Sequence, residues 1–232
     1  MTQTRWWWIR HAPVTENNGT IYGNLDLNCD CHDKESFHAL AGILPDDAIW
    51  VTTPLKRTHQ TANAIRAEMQ KTSFPDYDVI DDFQEQSFGD WHGMTHQELG
   101  EIRGDAWHRF WHAPASEAPP GGESFEDLIS RTARTIDVLN QKYSGKDIIA
   151  VTHGGTIRAA VAHALDLKPE KALGLSIGNS SLTKLNYYAT KDDTKLDQSS
   201  WGVVCINTEP LSFKSKKAPE PELFSQSQKI KL

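Results

Sequence analysis

Cysteine is scarce in this chain, and positive charge is outnumbered. The three cysteines, Cys29, Cys31 and Cys205, are too few and odd in number for a disulfide framework, so a reducing compartment is the simpler setting. With 24 Lys and Arg against 31 Asp and Glu, a net charge of −7 and a pI near 5.8, the chain lacks the dense basic face that nucleic acid or an anionic membrane requires. Neither partner is expected. The apolar run near the start, Trp6–Ile9, is far too short for a signal peptide or a spanning helix, and a cytoplasmic protein is expected. There is no P-loop, no G-x-G-x-x-G and no H-E-x-x-H, and Cys29-x-Cys31-His32 lacks the paired second half of a zinc site. No cofactor and no metal is expected. Any bound anion must be met by a local cluster of cations.

What is present is an ordinary globular composition, 38% hydrophobic and 24% charged over 232 residues, enough for one large domain with its own core. Short apolar runs predict strands at Trp6–Ile9, Ala48–Val51, Asp147–Val151, Val79–Ile80 and Gly202–Ile206. Helical spacing is found over Arg57–Met69, Phe125–Leu139 and Ile157–Leu165. Strands alternating with helices imply an α/β sandwich around a mostly parallel sheet. We place the domain at residues 1–212. From 213 to 232 the composition turns to Lys, Ser, Pro, Glu and Gln, and a flexible tail is expected. The Ala106–Gly122 segment reads as an irregular lid or connection, with Trp107 and Trp111 on a short helix.

In such sheets ligands bind beyond the carboxyl ends of the strands. Three strand ends deliver two arginines and two histidines to one edge: Arg10-His11, Thr52 to Arg57, and Thr152-His153-Gly154-Gly155. A neutral histidine fixed at one ring nitrogen is a nucleophile, and a neighbouring guanidinium matches phosphoryl oxygens. Arg10-His11 taken alone is equally compatible with a chance surface pair. Arg57 in the first turn of a helix opposes the macrodipole unless an anion faces that end, although a solvated arginine beside Lys56 would look the same. Two glycines after His153 let the backbone approach a ligand, and a protonated His153 would add positive charge. Glu85, amid aromatics and glycines, is a candidate proton donor that burial and a nearby dianion would keep protonated; an exposed loop glutamate is the plainer alternative. Trp91, Trp107 and Trp111 could stack on a substrate ring, but large aromatics are more often core.

The order Arg10-His11, Arg57 in Arg-Thr-x-Gln-Thr-Ala, Glu85 ahead of Phe-Gly-x-Trp-x-Gly, and His153-Gly154-Gly155 closely resembles the histidine phosphatase superfamily, across about residues 5–166. The resemblance implies the three-layer α/β/α sandwich of the phosphoglycerate mutase-like fold. It implies that His11 becomes phosphorylated, that Arg10, Arg57, His153 and Gly154 hold the phosphoryl oxygens, and that Glu85 donates the proton. Asn17, six residues after His11, matches a phosphate-contacting asparagine. Ile21–Asp26 and Pro119–Ser124 look most like the α-ribazole phosphatase branch, which makes a small phosphorylated metabolite, with α-ribazole 5′-phosphate as the favoured guess, the expected partner. The alternatives are a phosphoglycerate mutase or a non-catalytic phosphate-binding module. The roughly thirty residues from Gly93 to Gly122 are short for the insertion that shields a mutase's phosphohistidine, which tilts the reading to hydrolysis. A homodimer is left open. One departure is Ala12, where the family usually has glycine.

Overall fold

The first strand, β1 (Thr2–Arg10), buries both of its faces because its bulky residues alternate between two cores. Trp6 and Trp8 point to one side and stack with ring centroids 4.7 Å apart, while Ile9 and Trp7 pack on the other. Buried strands of this kind read as continuous apolar runs, and that is why β1 is visible in the sequence. The computed structural model describes residues 2–104, 113–189 and 200–215.

In chain order the elements are β1, α1 (Lys34–Ala41), β2 (Ile49–Thr52), α2 (Lys56–Glu68), β3 (Asp78–Val79), α3 (His96–Arg103), α4 (Phe125–Lys142), β4 (Asp147–Thr152), α5 (Gly154–Leu165), α6 (Pro169–Leu173), β5 (Leu182–Ala189) and β6 (Ser200–Thr208). The six strands form one sheet in the order β3-β2-β4-β1-β5-β6. The first four in that order run parallel, and β5 and β6 add an antiparallel edge. On one face Ile148 and Ala150 of β4 meet Ile136 and Leu139 of α4 and Ile157 and Val161 of α5. On the other, Ile149 and Val151 meet Phe37 and Leu40 of α1 and Ala62 and Ile65 of α2. The result is the expected three-layer sandwich with a mostly parallel sheet.

Several details differ from the sequence reading. The two-residue β3 is shifted one residue earlier than expected, and β4 runs one residue further. Helix α5 begins at Gly154 rather than Ile157, because tertiary contacts override the low helix propensity of its glycines. Strand β5 and helices α1, α3 and α6 were not anticipated. At the far end, Pro210–Ser215 forms a 3-10 turn, and Phe213 packs against the second core. The remainder of the expected tail, and Trp107 and Trp111, lie outside the described residues. Among those described, no helix is long and apolar enough to cross a membrane.

Because Trp8 is fully buried, stacks on Trp6 and meets Phe83 edge-on, Trp8→Ala should cost about 3–5 kcal/mol of stability. Urea unfolding monitored by circular dichroism measures it, and a loss under 1 kcal/mol would be inconsistent with this packing.

Candidate active site

Parallel pairing of β1 with β4 sets Arg10 opposite Thr152. The next residue on each strand, His11 and His153, therefore leaves the sheet beside the other, with ring centroids 5.3 Å apart. A backbone bond from the His11 N–H to the Thr152 carbonyl at 2.9 Å continues the ladder one step beyond the sheet. On the other side of β1, the Asn179 side chain donates to the His11 carbonyl at 2.9 Å, and Ser180 N–H donates to the Arg10 carbonyl. This turn into β5 was missing from the sequence reading. A single chain gives little sign that an antiparallel strand will fold back there.

His11 is 1% exposed, and His153 and Arg57 are fully buried. His11 Nδ1 lies 2.7 Å from the Ala12 carbonyl, which can only accept, so Nδ1 carries the proton and Nε2 keeps the lone pair. Burial, then Arg57, then Arg10 hold this imidazole well below the usual histidine range. His153 Nδ1 accepts from Arg57 Nε at 3.3 Å, and its Nε2 lies 3.0 Å from Thr53 Oγ1. Burial first, and then Arg57, His11, Arg10 and Arg131, push it the same way. A histidinium at His153 is therefore disfavoured here, since a cation there would be buried beside Arg57 and Arg10.

Arg57 rises from the first turn of α2 and spends part of its donor fork on the carbonyls of Leu25 and Gly23, at 2.6 and 2.7 Å. These bonds fix the plane of the guanidinium. Arg10 donates through Nη1 to the Ile177 carbonyl at 2.6 Å, and its Nε is buried without a partner among the described residues. Both Glu85 oxygens accept from the Gly155 N–H, at 3.1 and 3.2 Å. The second glycine after His153 therefore presents its N–H to Glu85. A Cβ at Gly155 would sit 2.3 Å from Glu85 Oε1 and 3.0 Å from Leu128 Cδ2, so a side chain there would displace the Glu85 carboxylate. Gly154 is packed under Arg10, whose Nε would be 3.4 Å from a Cβ at that position.

Glu85 sits on a loop braced from behind. Arg131 of α4 pairs with Glu123 and donates to the backbone carbonyls of Asp82 and Glu85. Glu123 in turn accepts from Ser87 N–H. Gly89, at φ +50°, lets this loop touch the Pro119–Gly122 turn, where a Cβ would collide with the Pro120 carbonyl at 2.0 Å. Arg131 and Glu123 were not assigned from sequence. Their charges sit on one helix and the loop before it, and only the loop conformation reveals their target.

A cavity of about 310 Å³ opens beside this cluster, and His11, Arg57 and His153 are not among the residues that line it. Arg10, Glu85, Gly155 and Asn17 line it, together with Tyr22, Phe88, Trp91 and Arg158. Asn17 is held by its own side-chain bond to the Thr20 carbonyl. Trp91 belongs to both possibilities raised from sequence, lining the cavity while packing on Ile21 and Leu99. Ala12 is buried in the second core, is not a cavity-lining residue, and its N–H donates to Thr61 Oγ1 at 2.8 Å. Its methyl therefore does not narrow the cavity. Cys29 and Cys31 lie behind Arg57, with Cys29 Sγ donating to the Arg57 carbonyl. Among the described residues no three His, Cys, Asp or Glu side chains gather in a way that would hold a metal ion.

The model of the histidine phosphatase superfamily, branch 1, matches residues 6–198. The chain belongs to that superfamily. Its mixed α/β fold is the one that family neighbours share. The bifunctional protein Rv2228c of Mycobacterium tuberculosis is 36% identical over 140 residues, 60% of this chain and 37% of the relative, so the chain spans little more than a third of that protein's length. A metal-independent phosphoserine phosphatase of Arabidopsis thaliana is 30% identical over 158 residues, 65% of this chain and 64% of the relative. The solved structure of mycobacterial glucosyl-3-phosphoglycerate phosphatase Rv2419c superposes with a TM-score of 0.75 at 24% identity, covering 89% of this chain and 99% of that one.

The two depressed imidazoles give this chain a pH signature. Both are held below the ordinary histidine range when folded, first by burial, and titrate near 6.5 when unfolded, so the unfolded chain takes up protons first as pH falls. Their contribution is complete above pH about 6.5 and shrinks below it, by up to about 1.4 kcal/mol per pH unit for each ring. Urea midpoints in phosphate-free buffer should fall from pH 7.5 to pH 5, and His153→Gln should flatten that slope by about one proton. An unchanged slope in the variant would contradict the neutral assignment.

Proposed function

We propose that this histidine phosphatase hydrolyses a small phosphorylated metabolite through a phosphoryl group carried on His11. The observation that carries the reading is a buried imidazole held toward its neutral form, whose Nδ1–H is held by the Ala12 carbonyl and on which Arg57 and Arg10 both act electrostatically. In the first step Nε2 attacks phosphorus in line as the bond to the leaving oxygen breaks. Glu85, at the cavity wall, gives its proton to that oxygen. In the second step Glu85 takes a proton from water as the water oxygen attacks phosphorus. The N–P bond then breaks, inorganic phosphate leaves and His11 returns to its neutral form.

Arg10 and Arg57 would neutralise charge on the equatorial oxygens, which is the main demand of phosphoryl transfer. His153 would join them by exchanging Thr53 Oγ1 for a phosphoryl oxygen, and an arriving dianion favours its protonation. Gly154 keeps Arg10 close to the helix opening, and Asn17 contacts the substrate from the rim. None of these steps needs a metal. The Ile21–Asp26 and Pro119–Ser124 segments support an α-ribazole 5′-phosphate-like substrate, and the cysteine usage supports a cytoplasmic setting.

With p-nitrophenyl phosphate, His11→Ala should lose about a thousandfold or more in kcat. Rapid quenching of wild type with a labelled phosphomonoester should trap an acid-labile, base-stable adduct on His11. Glu85→Gln should impair alkyl phosphates far more than the aryl ester, whose leaving group needs no proton. Orthovanadate should inhibit, and EDTA should not. Equal turnover by wild type and His11→Ala defeats the mechanism.

A further inference from the structure

Cys29 and Cys31 take no part in the chemistry just described, yet they lie against the backbone that holds it. Their sulfurs are 3.6 Å apart. Cys29 Sγ is 3.3 Å from the Arg57 carbonyl and 3.5 Å from Thr61 Oγ1. That hydroxyl donates to the Arg57 carbonyl at 2.7 Å and accepts the N–H of Ala12, the neighbour of His11, at 2.8 Å. The thiol therefore touches a group that joins the backbone of Arg57 to the backbone beside His11. Asp30, between the two cysteines, is tied to the same stretch, since its N–H donates to the Pro13 carbonyl at 2.7 Å.

Among the described residues no third ligand gathers with this pair to hold a metal ion, which points to thiol chemistry instead. Both cysteines are partly exposed, whereas an inert structural cysteine is sealed in the core. Attack on an oxidant requires the thiolate. The bond from Cys31, helped by Thr61 and Arg57, favours the Cys29 thiolate against its burial and brings this thiol down to about 7. The bond to Cys29, and then burial, push Cys31 the other way, so it stays protonated. One cysteine is set to react and its neighbour to resolve the product.

We propose that Cys29 and Cys31 form a reversible oxidation site, closed to a disulfide by a peroxide, and that closure weakens phosphate binding at the adjoining site; the second part rests on the phosphatase reading above. The Cys29 thiolate attacks one peroxide oxygen, the O–O bond breaks, and a sulfenic acid forms as hydroxide leaves. The Cys31 sulfur then attacks the Cys29 sulfur, its proton passes to the departing oxygen, and water is released. The two cysteines together lose two electrons and the peroxide gains them. Thiol exchange with a dithiol reductant reopens the bond. Bonded sulfurs stand about 2.0 Å apart, so the pair must close up and the contacts of Cys29 with the Arg57 carbonyl and Thr61 Oγ1 are pulled. The ring closes across Asp30, anchored on Pro13, and Cys29, whose N–H is anchored on Gln60 Oε1 at 2.9 Å. Upstream on the same segment are the Gly23 and Leu25 carbonyls that orient the Arg57 guanidinium. Arg57 is thus the cation whose placement the ring disturbs.

The test treats the full chain with hydrogen peroxide, alkylates remaining thiols and digests with trypsin. Both cysteines fall in the fragment from His11 to Lys34, without Cys205, so the disulfide shows as that fragment unalkylated and two hydrogens lighter. Dithiothreitol should restore both alkylation sites, and in Cys31→Ser, which cannot resolve, dimedone should trap the sulfenic acid on Cys29. Titration calorimetry with inorganic phosphate should show about 5- to 50-fold weaker binding to the oxidised wild type, reversed by dithiothreitol. The Cys29→Ser/Cys31→Ser double variant should bind phosphate equally before and after peroxide, a comparison made on one preparation. Two thiols still alkylated after peroxide overturn the oxidation site. Unchanged phosphate affinity in the disulfide form, or the same loss in the double variant, overturns its coupling to Arg57. A chain that binds phosphate but turns over no phosphomonoester, p-nitrophenyl phosphate included, instead sinks the phosphatase reading and leaves the oxidation site standing.

Discussion

The site depends on burying guanidinium groups beside imidazoles without a carboxylate in contact. Arg57 is fully enclosed, and its charge is met by the carbonyls of Gly23 and Leu25 and, at longer range, by Glu85, Tyr22 and Asp26. A direct ion pair would have quenched the field that a phosphoryl group needs. Carbonyl dipoles orient the cation and leave its charge available. Burial, and then the same field, hold His11 and His153 toward the unprotonated form. The two imidazoles and the arginines beside them are parts of one electrostatic arrangement.

Backbone geometry holds that arrangement in place. The β1–β4 register sets the two imidazoles side by side, and the turn into β5 clamps the Arg10 and His11 carbonyls from the opposite flank. Glu85 is brought in by a loop that has no regular ladder of its own. It is held by the first turn of α5 in front and by Arg131 and Glu123 behind. The Phe88–Gly93 and Pro119–Glu123 motifs are far apart in sequence, and they form one wall because Gly89 admits the opposing backbone.

Residues of one type fall into different roles here according to what already satisfies them. Arg131 and Arg103 have carboxylate partners and support loops. Arg10 and Arg57 are tethered by carbonyls and remain electrostatically unspent. Sequence spacing distinguishes none of these cases.

The apolar runs of β1, β2 and β4 were legible in the sequence because central parallel strands are buried on both faces, and the polar residues that end them marked one edge of the sheet. Arg10, His11, Arg57, Glu85, His153 and Gly154 could be named from the order of their motifs alone. The start of α5 was not legible, since glycine disfavours a helix locally and the contacts that outweigh this come from Glu85, Arg10 and Leu128, remote in the chain. Nor were β5 and its clamp, the protonation of the two imidazoles, or the commitment of the Gly155 N–H to Glu85. Charge state and hydrogen-bond partnership depend on distance and burial, and those quantities exist only once the chain is folded. The sequence by itself determined which groups were candidates for the site, and the tertiary structure decided which of them lie together, which are spent on a partner and which are not.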